Sequence, residues 1–240
     1  MIRARGLIKH FGDIRAVDGV DFDAPDGRIT GILGANGAGK STILRVLATV
    51  LHPDAGRAWV DEHDVAAAPQ AVRRNIGVLP HDAGLYGRLT ARENVAYFAA
   101  LHGMSRRKIA ARVDALTEQL DMGEFADRRA AGFSQGQRLK VALARALVHD
   151  PRTVILDEPS NGLDVMATRA LRGIIRGLRA EGRCVVFSSH VMQEVAALCD
   201  QVVIVAHGRV PFAGTLGALR QRAGETDLED AFVHLAALPA

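Results

Sequence analysis

Short apolar runs separated by longer amphipathic stretches set the pattern of this chain. The runs have the length of buried strands and end in turn-forming or polar residues. They predict strands at 28–33, 76–80, 153–156, 184–187 and 202–205. Because helical patterns fill much of the sequence between these strands, we predict an α/β fold with a mostly parallel sheet.

The stretch from 82 to 150 is predicted to be helical. Thr90 and Glu93 form a capping-box pattern at the start of one helix, and Gly103 is placed to end it. Ser105 is placed to cap the next helix, whose apolar residues keep helical spacing: Ile109, Val113, Leu116 and Leu120. We therefore predict one domain over 1–223, in which a helical subdomain at 82–150 interrupts a core at 1–81 and 151–211. A short helical tail is predicted at 224–240, with its helix at 228–235.

Charge and composition narrow the possible partners. The 240 residues include 30 Lys and Arg against 27 Asp and Glu, a net charge of +3. This excess is too small to predict binding to nucleic acid or to an anionic membrane. No apolar run has the length of a membrane helix, and no apolar signal region follows the first arginines. The two cysteines, Cys184 and Cys199, fit a reducing compartment, so we expect a soluble intracellular protein.

A glycine-rich loop between the strand at 28–33 and a helix at 42–47 carries the strongest chemical signal. It fits the pattern G-x-x-x-x-G-K-[ST], in which backbone N–H groups and a helix start bind phosphate. Lys40 is expected to reach the β- and γ-phosphates, and Ser41 to hold Mg²⁺ through its hydroxyl. The predicted ATP-binding residues are Gly34, Ala35, Asn36, Gly37, Ala38, Gly39, Lys40, Ser41 and Thr42.

Two acidic residues follow the apolar run at 153–156. Parallel sheets bind ligands beyond the carboxyl ends of their strands, which is where Asp157 and Glu158 are expected. Asp157 is predicted to hold the Mg²⁺ shell, as the corresponding Asp does in P-loop enzymes. Glu158 could orient and deprotonate the attacking water.

The third motif, at 133–137, identifies a family. Its residues Ser134, Gln135, Gly136 and Gln137 keep the Ser, the second Gly and the Gln of the signature L-S-G-G-Q, and depart from it at Phe133 and Gln135. Ser134 and Gln137 also fit a capping box for a helix at 138–148. The glycine-rich loop, this motif and the acidic pair follow one another in the order found in one family. The whole chain resembles the ATP-binding subunit of an ABC transporter. The resemblance implies a P-loop NTPase core with an inserted helical subdomain.

The same resemblance assigns roles to further residues. It implies that Asp164 belongs to the D-loop and that His190 is the switch histidine. Phe11 lies where the family places an aromatic ring that stacks on adenine, although a single Phe near a strand is core as often as it is a base platform. The ending Leu228-Glu229-Asp230-Ala231-Phe232 is similar to that of the sodium-export and drug-export branch; a generic packing helix is the alternative.

The sequence departs most from the family after the strand at 76–80. Family members usually carry a glutamine there that contacts Mg²⁺, whereas this chain has His81 followed by Asp82. Either side chain could take that role. The residues that follow belong, by resemblance, to the groove that receives the membrane subunit. Leu85 and Tyr86 fit either that groove or ordinary packing under a loop.

The resemblance implies an ATPase subunit that drives export through a separate membrane permease. It implies the cofactors ATP and Mg²⁺, and a head-to-tail dimer in which the signature of one copy completes the ATP site of the other. We therefore expect a protein on the cytoplasmic face of the membrane. The main alternative is a soluble ABC-type ATPase without a transport role, and a P-loop kinase or GTPase is a second.

Overall fold

The computed structural model describes residues 1–237 and contains two sheets flanked by helices. The strands are β1 (Ile2–Phe11), β2 (Ile14–Ala24), β3 (Ile29–Leu33), β4 (Ala55–Val60), β5 (His63–Asp64), β6 (Ile76–Leu79), β7 (Thr153–Asp157), β8 (Cys184–Ser189), β9 (Gln201–Ala206) and β10 (Arg209–Gly214). The helices are α1 (Lys40–Leu47), α2 (Pro69–Asn75), α3 (Ala91–Leu101), α4 (Arg106–Gln119), α5 (Gln135–Leu147), α6 (Val165–Ala180), α7 (Met192–Leu198), α8 (Leu216–Ala223) and α9 (Leu228–Ala237).

The larger sheet has the order β10-β9-β3-β8-β7-β6. All its strand pairs are parallel except β9 with β10, as the sequence pattern predicted. Since β3, β7 and β8 are neighbours and point the same way, their carboxyl ends meet at one edge of the sheet. That edge carries the loop at 34–39, Asp157 and His190.

The smaller sheet, β2-β1-β4-β5, is antiparallel and was not predicted as a separate layer. It packs over one face of the larger sheet, where Ile32, Ile155 and Val186 share a core with α1. The alternate residues of the same strands, such as Leu33 and Phe187, point into a second core formed with the helices on the other face. Burial on both faces explains why these strands read as continuous apolar runs.

The regular elements between 82 and 150 are α3, α4, α5 and two short 3-10 turns. Thr90 caps α3 in a capping box with Glu93, as predicted. Ser105 is the N-cap of α4, but the expected side-chain bond is wrong: its hydroxyl caps no N–H group. The position alone therefore indicated where α4 begins, and the side chain does not stabilise that start.

The tail follows the predicted order of loop and helix. Gly224 ends α8 in the left-handed conformation, and α9 buries Ala231 and Leu235 against the second core. The predicted tail at 238–240 lies outside the described residues. Within residues 1–237, no helix combines the length and apolar character needed to cross a membrane.

Candidate nucleotide-binding and catalytic site

The glycine-rich loop at 34–39 turns tightly between β3 and α1. Gly39 has φ 111°, and a Cβ atom there would lie 2.5 Å from the carbonyl oxygen of Ala16. A Cβ at Gly34 would lie 2.4 Å from the carbonyl oxygen of Val205. Only glycine fits at either position, so the backbone of the loop can approach a ligand closely.

The helix α1 begins directly at Lys40 and presents its N-terminus to this loop. Because the N-cap residue Gly39 has no side chain, it offers no capping bond to the first amides of the helix. Lys40 is 4% exposed, and its ammonium donates to the carbonyl oxygens of Gly34 at 2.8 Å and Ala35 at 3.1 Å. The uncapped amides, the helix dipole and the buried cation together favour the binding of an anion at this helix start.

Asp157, at the end of β7, accepts two hydroxyl hydrogen bonds on one carboxylate oxygen. Ser41 donates to Oδ1 at 3.1 Å, and Ser188 donates to the same atom at 2.7 Å. Ser188 also accepts the backbone N–H of Glu158 at 2.9 Å. This buried serine on β8 therefore fixes both acidic residues that end β7.

Glu158 has φ 47°, a left-handed conformation that is uncommon for a side chain of this size. The conformation places its carboxylate between two nitrogen groups. Oε1 lies 3.3 Å from the ammonium of Lys40, and Oε2 lies 3.2 Å from Nδ1 of His190. The structure thus joins the start of α1 to the residues that follow β7 and β8 in one chain of contacts.

A cavity of about 540 Å³, here called the nucleotide cavity, opens at this edge. Its lining residues are Ala16, Asn36, Gly37, Gly39, Lys40, Ser41, Thr42, Arg45, His81, Glu158, Asn161 and His190. Among the two candidates after β6, His81 lines this cavity and Asp82 does not. Phe11 is 45% exposed at the end of β1, beneath the ammonium of Lys9, and does not line the cavity.

A second cavity of about 400 Å³, here called the adjoining cavity, shares His81, Glu158 and Asn161 with the nucleotide cavity. Asp82, Gln135, Asp157 and Glu158 contribute to its lining, and His81 lines both cavities. Gln135 donates from Nε2 to the carbonyl oxygen of Asn161 at 3.0 Å. The start of α5 is therefore bonded to the segment that follows Glu158.

The residues of the third motif form a complete capping box. Gln137 donates its N–H to Oγ of Ser134 at 3.3 Å, and the Ser134 N–H donates to Oε1 of Gln137 at 3.1 Å. Gly136 lies in the first turn of α5. Asp164 likewise caps α6 by accepting the N–H of Ala167 at 2.8 Å. None of these residues lines the nucleotide cavity of its own chain.

Several site residues were not predicted from the sequence. Ser188 was not predicted as a site residue, although the run Ser188-Ser189-His190 after the apolar strand was a usable signal. Glu194 accepts hydrogen bonds from Ser160 at 2.6 Å and from Ser189 at 2.9 Å, and so ties the D-loop region to β8. Arg45 lines the nucleotide cavity without belonging to a predicted motif, and Asn161 of the D-loop run 160–164 lines it without having been predicted as a site residue.

The donor set suits a triphosphate with a hard cation. Ser41 and Asp157 offer two oxygen atoms, and Mg²⁺ is commonly held by one or two protein oxygens together with waters and phosphate. Within residues 1–237, no group of three or more His, Cys, Asp and Glu is arranged to hold a metal by itself. The residues therefore fit a metal that arrives with phosphate.

A third cavity, about 670 Å³ and here called the lateral groove, lies between α2, β6, α3 and α5. Its floor is largely apolar, and its cationic lining residues are Arg73, Arg74 and Arg145. Among the described residues that line it, none is acidic. Val50 and Leu101, which also line it, are 69% and 65% exposed. Such a surface favours an apolar partner segment that carries negative charge.

Comparison with known proteins agrees with the geometry. The family model described as ABC transporter matches residues 17–161. The chain is 42% identical to the ABC transporter ATP-binding protein NatA of Bacillus subtilis (strain 168) over 221 residues, which cover 92% of this chain and 90% of that protein. It is 39% identical to the Nod factor export ATP-binding protein I of Rhizobium sp. (strain N33), over 89% of this chain and 70% of that protein.

Solved structures show the same fold. The structure of an ATP-binding subunit of an ABC transporter matches with a TM-score of 0.89 and 28% identity, over 98% of this chain and 99% of that one. A dimeric bacterial ABC transporter cassette matches with a TM-score of 0.79 and 26% identity, over 90% and 98% of the two chains. The fold and the site thus define an ATP-binding P-loop ATPase. This chain belongs to the ABC transporter family and is one of its ATP-binding subunits.

Proposed function

We propose that this chain hydrolyses ATP with Mg²⁺ in a dimer of two copies, and thereby powers export through a separate membrane permease. The observation that carries the proposal is the meeting of Lys40, Glu158 and His190 at the nucleotide cavity, where Asp157 is hydrogen-bonded to the lining residue Ser41. A phosphate-binding lysine, a metal-holding carboxylate, a base and its orienting histidine are the groups that phosphoryl transfer to water requires.

Each residue has a defined part in the proposed reaction. The amides at the start of α1 and the ammonium of Lys40 bind the β- and γ-phosphates. Ser41 and Asp157 would hold Mg²⁺, which would supply positive charge against the phosphates, and Ser188 orients Asp157 through its 2.7 Å bond. His81 and Asp82 are the two residues that could replace the family's Mg²⁺-contacting glutamine. His81 is favoured because it lines the nucleotide cavity. Phe11 stays a proposal for adenine stacking.

Glu158 is the proposed general base. Its carboxylate accepts a proton from the water that attacks the γ-phosphate, while His190, 3.2 Å away, holds the carboxylate in line. Triphosphate bound at Lys40 competes for the ammonium that Glu158 pairs with at 3.3 Å. Phosphate binding therefore frees one carboxylate oxygen for the water.

The second copy is proposed to complete each site. Ser134, Gln135, Gly136 and Gln137 lie outside the nucleotide cavity of their own chain, and yet the helix start that they form is suited to an anion. A dimeric cassette among the similar structures supports a dimer. In the proposed dimer this helix start, with Asp164 of the D-loop, faces the ATP of the partner copy. Hydrolysis would then remove the charge that holds the two copies together.

The permease is proposed to bind in the lateral groove. The groove's apolar floor and basic rim suit a short helix with apolar side chains and at least one carboxylate. The name of the Rhizobium protein, which refers to Nod factor export, supports an exporter. The sodium-export and drug-export branch stays a proposal that rests on the resemblance of the sequence. The chain would act at the cytoplasmic face of the membrane, with no role for nucleic acid.

Turnover of the purified chain with Mg²⁺ and ATP tests the catalytic half of the proposal. Lys40→Ala should abolish turnover, whereas Lys108→Ala, which removes an exposed lysine of α4, should leave it unchanged. Equal activity in both variants would contradict the assignment of the site. For the transport half, native membranes should retain the chain together with one membrane protein. A chain that purifies without a membrane protein would favour the soluble ATPase instead.

A further inference from the structure

Glu194, in the first turn of α7, accepts two serine hydroxyl groups on the same carboxylate oxygen. Ser160 donates to its Oε2 at 2.6 Å, and Ser189 donates to the same atom at 2.9 Å. Ser160 is two residues beyond Glu158, and Ser189 directly precedes His190. One oxygen atom therefore bridges the two segments that carry the proposed base and its histidine.

The backbone on both sides of His190 depends on this contact. Ser189, whose hydroxyl donates to Glu194, also accepts the backbone N–H of Val191 at 3.0 Å. The side chain of His190 is 44% exposed, and Glu158 is the one hydrogen-bond partner of its ring within residues 1–237. The ring is therefore aimed mainly by the backbone that Ser189 and Glu194 hold.

Glu158 is held from two sides in its left-handed conformation. Its φ of 47° is uncommon for a long side chain and persists only where neighbouring contacts enforce it. Ser188 accepts the N–H of Glu158 at 2.9 Å on the side of β7. On the other side, beyond Pro159, the hydroxyl of Ser160 is bonded to Glu194. The carboxylate of Glu158 thus keeps its direction through contacts before and after it.

A role in the start of α7 alone does not account for Glu194. It is the third residue of this helix, where a capping box would direct the glutamate to the N–H of Val191. That N–H donates to Ser189 instead, and the bond to Ser160 satisfies no backbone group of the helix. A separation of 2.6 Å is typical of a hydroxyl group that donates to an ionised carboxylate, so the bond to Ser160 is a strong one.

We infer that Glu194 is a positioning residue for hydrolysis, which holds the segment after Glu158 against the segment that carries His190. The inference rests on the proposed function, since it takes Glu158 as the base. Glu194 does not line the nucleotide cavity, so it acts through the two serines and not on the nucleotide. Its removal should loosen the 3.2 Å contact between Glu158 and His190, and should slow hydrolysis while nucleotide binding stays the same.

Turnover and nucleotide binding of the full-length chain separate this role from a structural one. The variants are Glu194→Ala, Glu194→Gln and the double variant Ser160→Ala/Ser189→Ala. Glu93→Ala is the matched control, because Glu93 is the third residue of α3 and accepts the N–H of Thr90 at 2.8 Å, away from the site. The kcat of ATP hydrolysis and the Kd of a fluorescent, non-hydrolysable ATP analogue with Mg²⁺ are measured for each variant.

Glu194→Ala should lower kcat by roughly 10- to 100-fold, the cost of a small misplacement of reacting groups, and leave the Kd unchanged. The double serine variant should lose as much, because it removes both donors and leaves the carboxylate in place. Glu194→Gln should keep most of the turnover, since its amide oxygen still accepts both hydroxyl groups, although less strongly. Glu93→Ala should keep the kcat of the wild type.

Backbone hydrogen exchange of the nucleotide-free chain measures the same contact without activity. Peptides that cover 160–164 and 188–192 report on the two segments, each of which contains a backbone N–H that is hydrogen-bonded within the segment. Both peptides should exchange faster in Glu194→Ala than in the wild type, and neither should change in Glu93→Ala.

A folded Glu194→Ala variant with wild-type kcat, with a loss confined to the Kd, or with unchanged exchange at both peptides would overturn the inference alone. So would a fully active double serine variant, because the carboxylate would then act by its charge and not through the hydroxyl groups. The double serine variant also decides the matter if Glu194→Ala does not fold. Turnover that survives Glu158→Gln would overturn the proposed base, and the inference with it.

Discussion

Lys40 and Glu158 form an ion pair, with the ammonium nitrogen 3.3 Å from Oε1. One residue comes from the start of α1 and the other follows β7, so the pair joins the proposed phosphate-binding group to the proposed base. Both side chains are largely buried, and the ammonium is also held by two backbone carbonyl oxygens. Phosphate binding and activation of water are therefore linked through one contact.

Glu158→Gln keeps the size of the side chain and removes the base. Turnover should fall by roughly 10² to 10⁴-fold, the usual contribution of a general base, while ATP still binds. The stalled chain should form a dimer when ATP and Mg²⁺ are added. Steady-state turnover and sedimentation of the same preparation check both expectations. Wild-type turnover in the variant would exclude Glu158 as the base.

Ser188→Ala should disturb both acidic residues at once, because the hydroxyl contacts Asp157 and the N–H of Glu158. We expect a loss of about 1–3 kcal/mol of stability from the unpaired groups, together with a higher Mg²⁺ requirement for turnover. Thr117→Val is the control, since Thr117 is a buried hydroxyl that bonds the carbonyl oxygen of Val113 away from the site. An unchanged Mg²⁺ requirement in Ser188→Ala would contradict the orienting role.

His81 and Asp82 can be separated by the Mg²⁺ dependence of turnover. Only His81 lines the nucleotide cavity, so His81→Ala should raise the Mg²⁺ concentration needed for half-maximal turnover, and Asp82→Asn should change it little. His81→Gln should keep the Mg²⁺ requirement of the wild type, because an amide oxygen can replace the ring nitrogen. The opposite order of effects would assign the role to Asp82.

The lowered pKa of His149 leads us to predict that the protein loses stability in acid. Burial, reinforced by the neighbouring His102 ring stacked 3.7 Å away, lowers the pKa of His149 to about 4. Its Nε2 donates to the carbonyl oxygen of Ile76 at 2.9 Å, and Asp150 and Arg112 are the charged groups nearby. The unfolded chain binds this proton near pH 6.5, so it holds more protons than the folded chain below that pH.

The free energy of unfolding should therefore fall as the pH is lowered from about 6.5 towards 4. His149→Gln keeps a donor for Ile76 and should remove part of this dependence. Urea unfolding of both proteins at pH 7 and pH 5 measures the difference. Parallel changes in the two proteins would show that His149 does not contribute.

The central strands and the glycine-rich loop could be predicted because their signals are contiguous in sequence. The loop follows directly on the strand that ends at Leu33 and leads directly to Lys40. The residue type at each of these positions is explained by its immediate neighbours in the sequence. The small antiparallel sheet was not predicted because β1 pairs with β4 across some fifty residues, and no local sequence pattern indicates such a distant pairing. The expected bond from Ser105 failed because an N-cap position does not oblige the side chain to accept an N–H.

The residues that the sequence did not suggest act through tertiary contacts. Ser188 matters because β7 and β8 are adjacent and in register, which places its hydroxyl between Asp157 and Glu158. Arg145 lies in an ordinary helical pattern, and its contact with Gly84 spans 61 positions in the chain. Such contacts follow from the packing of whole elements and leave no spacing for a motif to reveal.

Complementation between two inactive variants tests most directly whether two copies of this chain build each ATP site together. Lys40→Ala removes the phosphate-binding cation, and Ser134→Ala removes the hydroxyl of the third motif. If Ser134 served only as a helix cap, its replacement by alanine would lower the stability by about 1 kcal/mol and leave turnover intact. We predict instead that each folded variant is inactive alone, and that a mixture regains turnover because each mixed dimer contains one intact site. A mixture that stays inactive, with both variants folded and Ser134→Ala still binding ATP, would contradict shared sites.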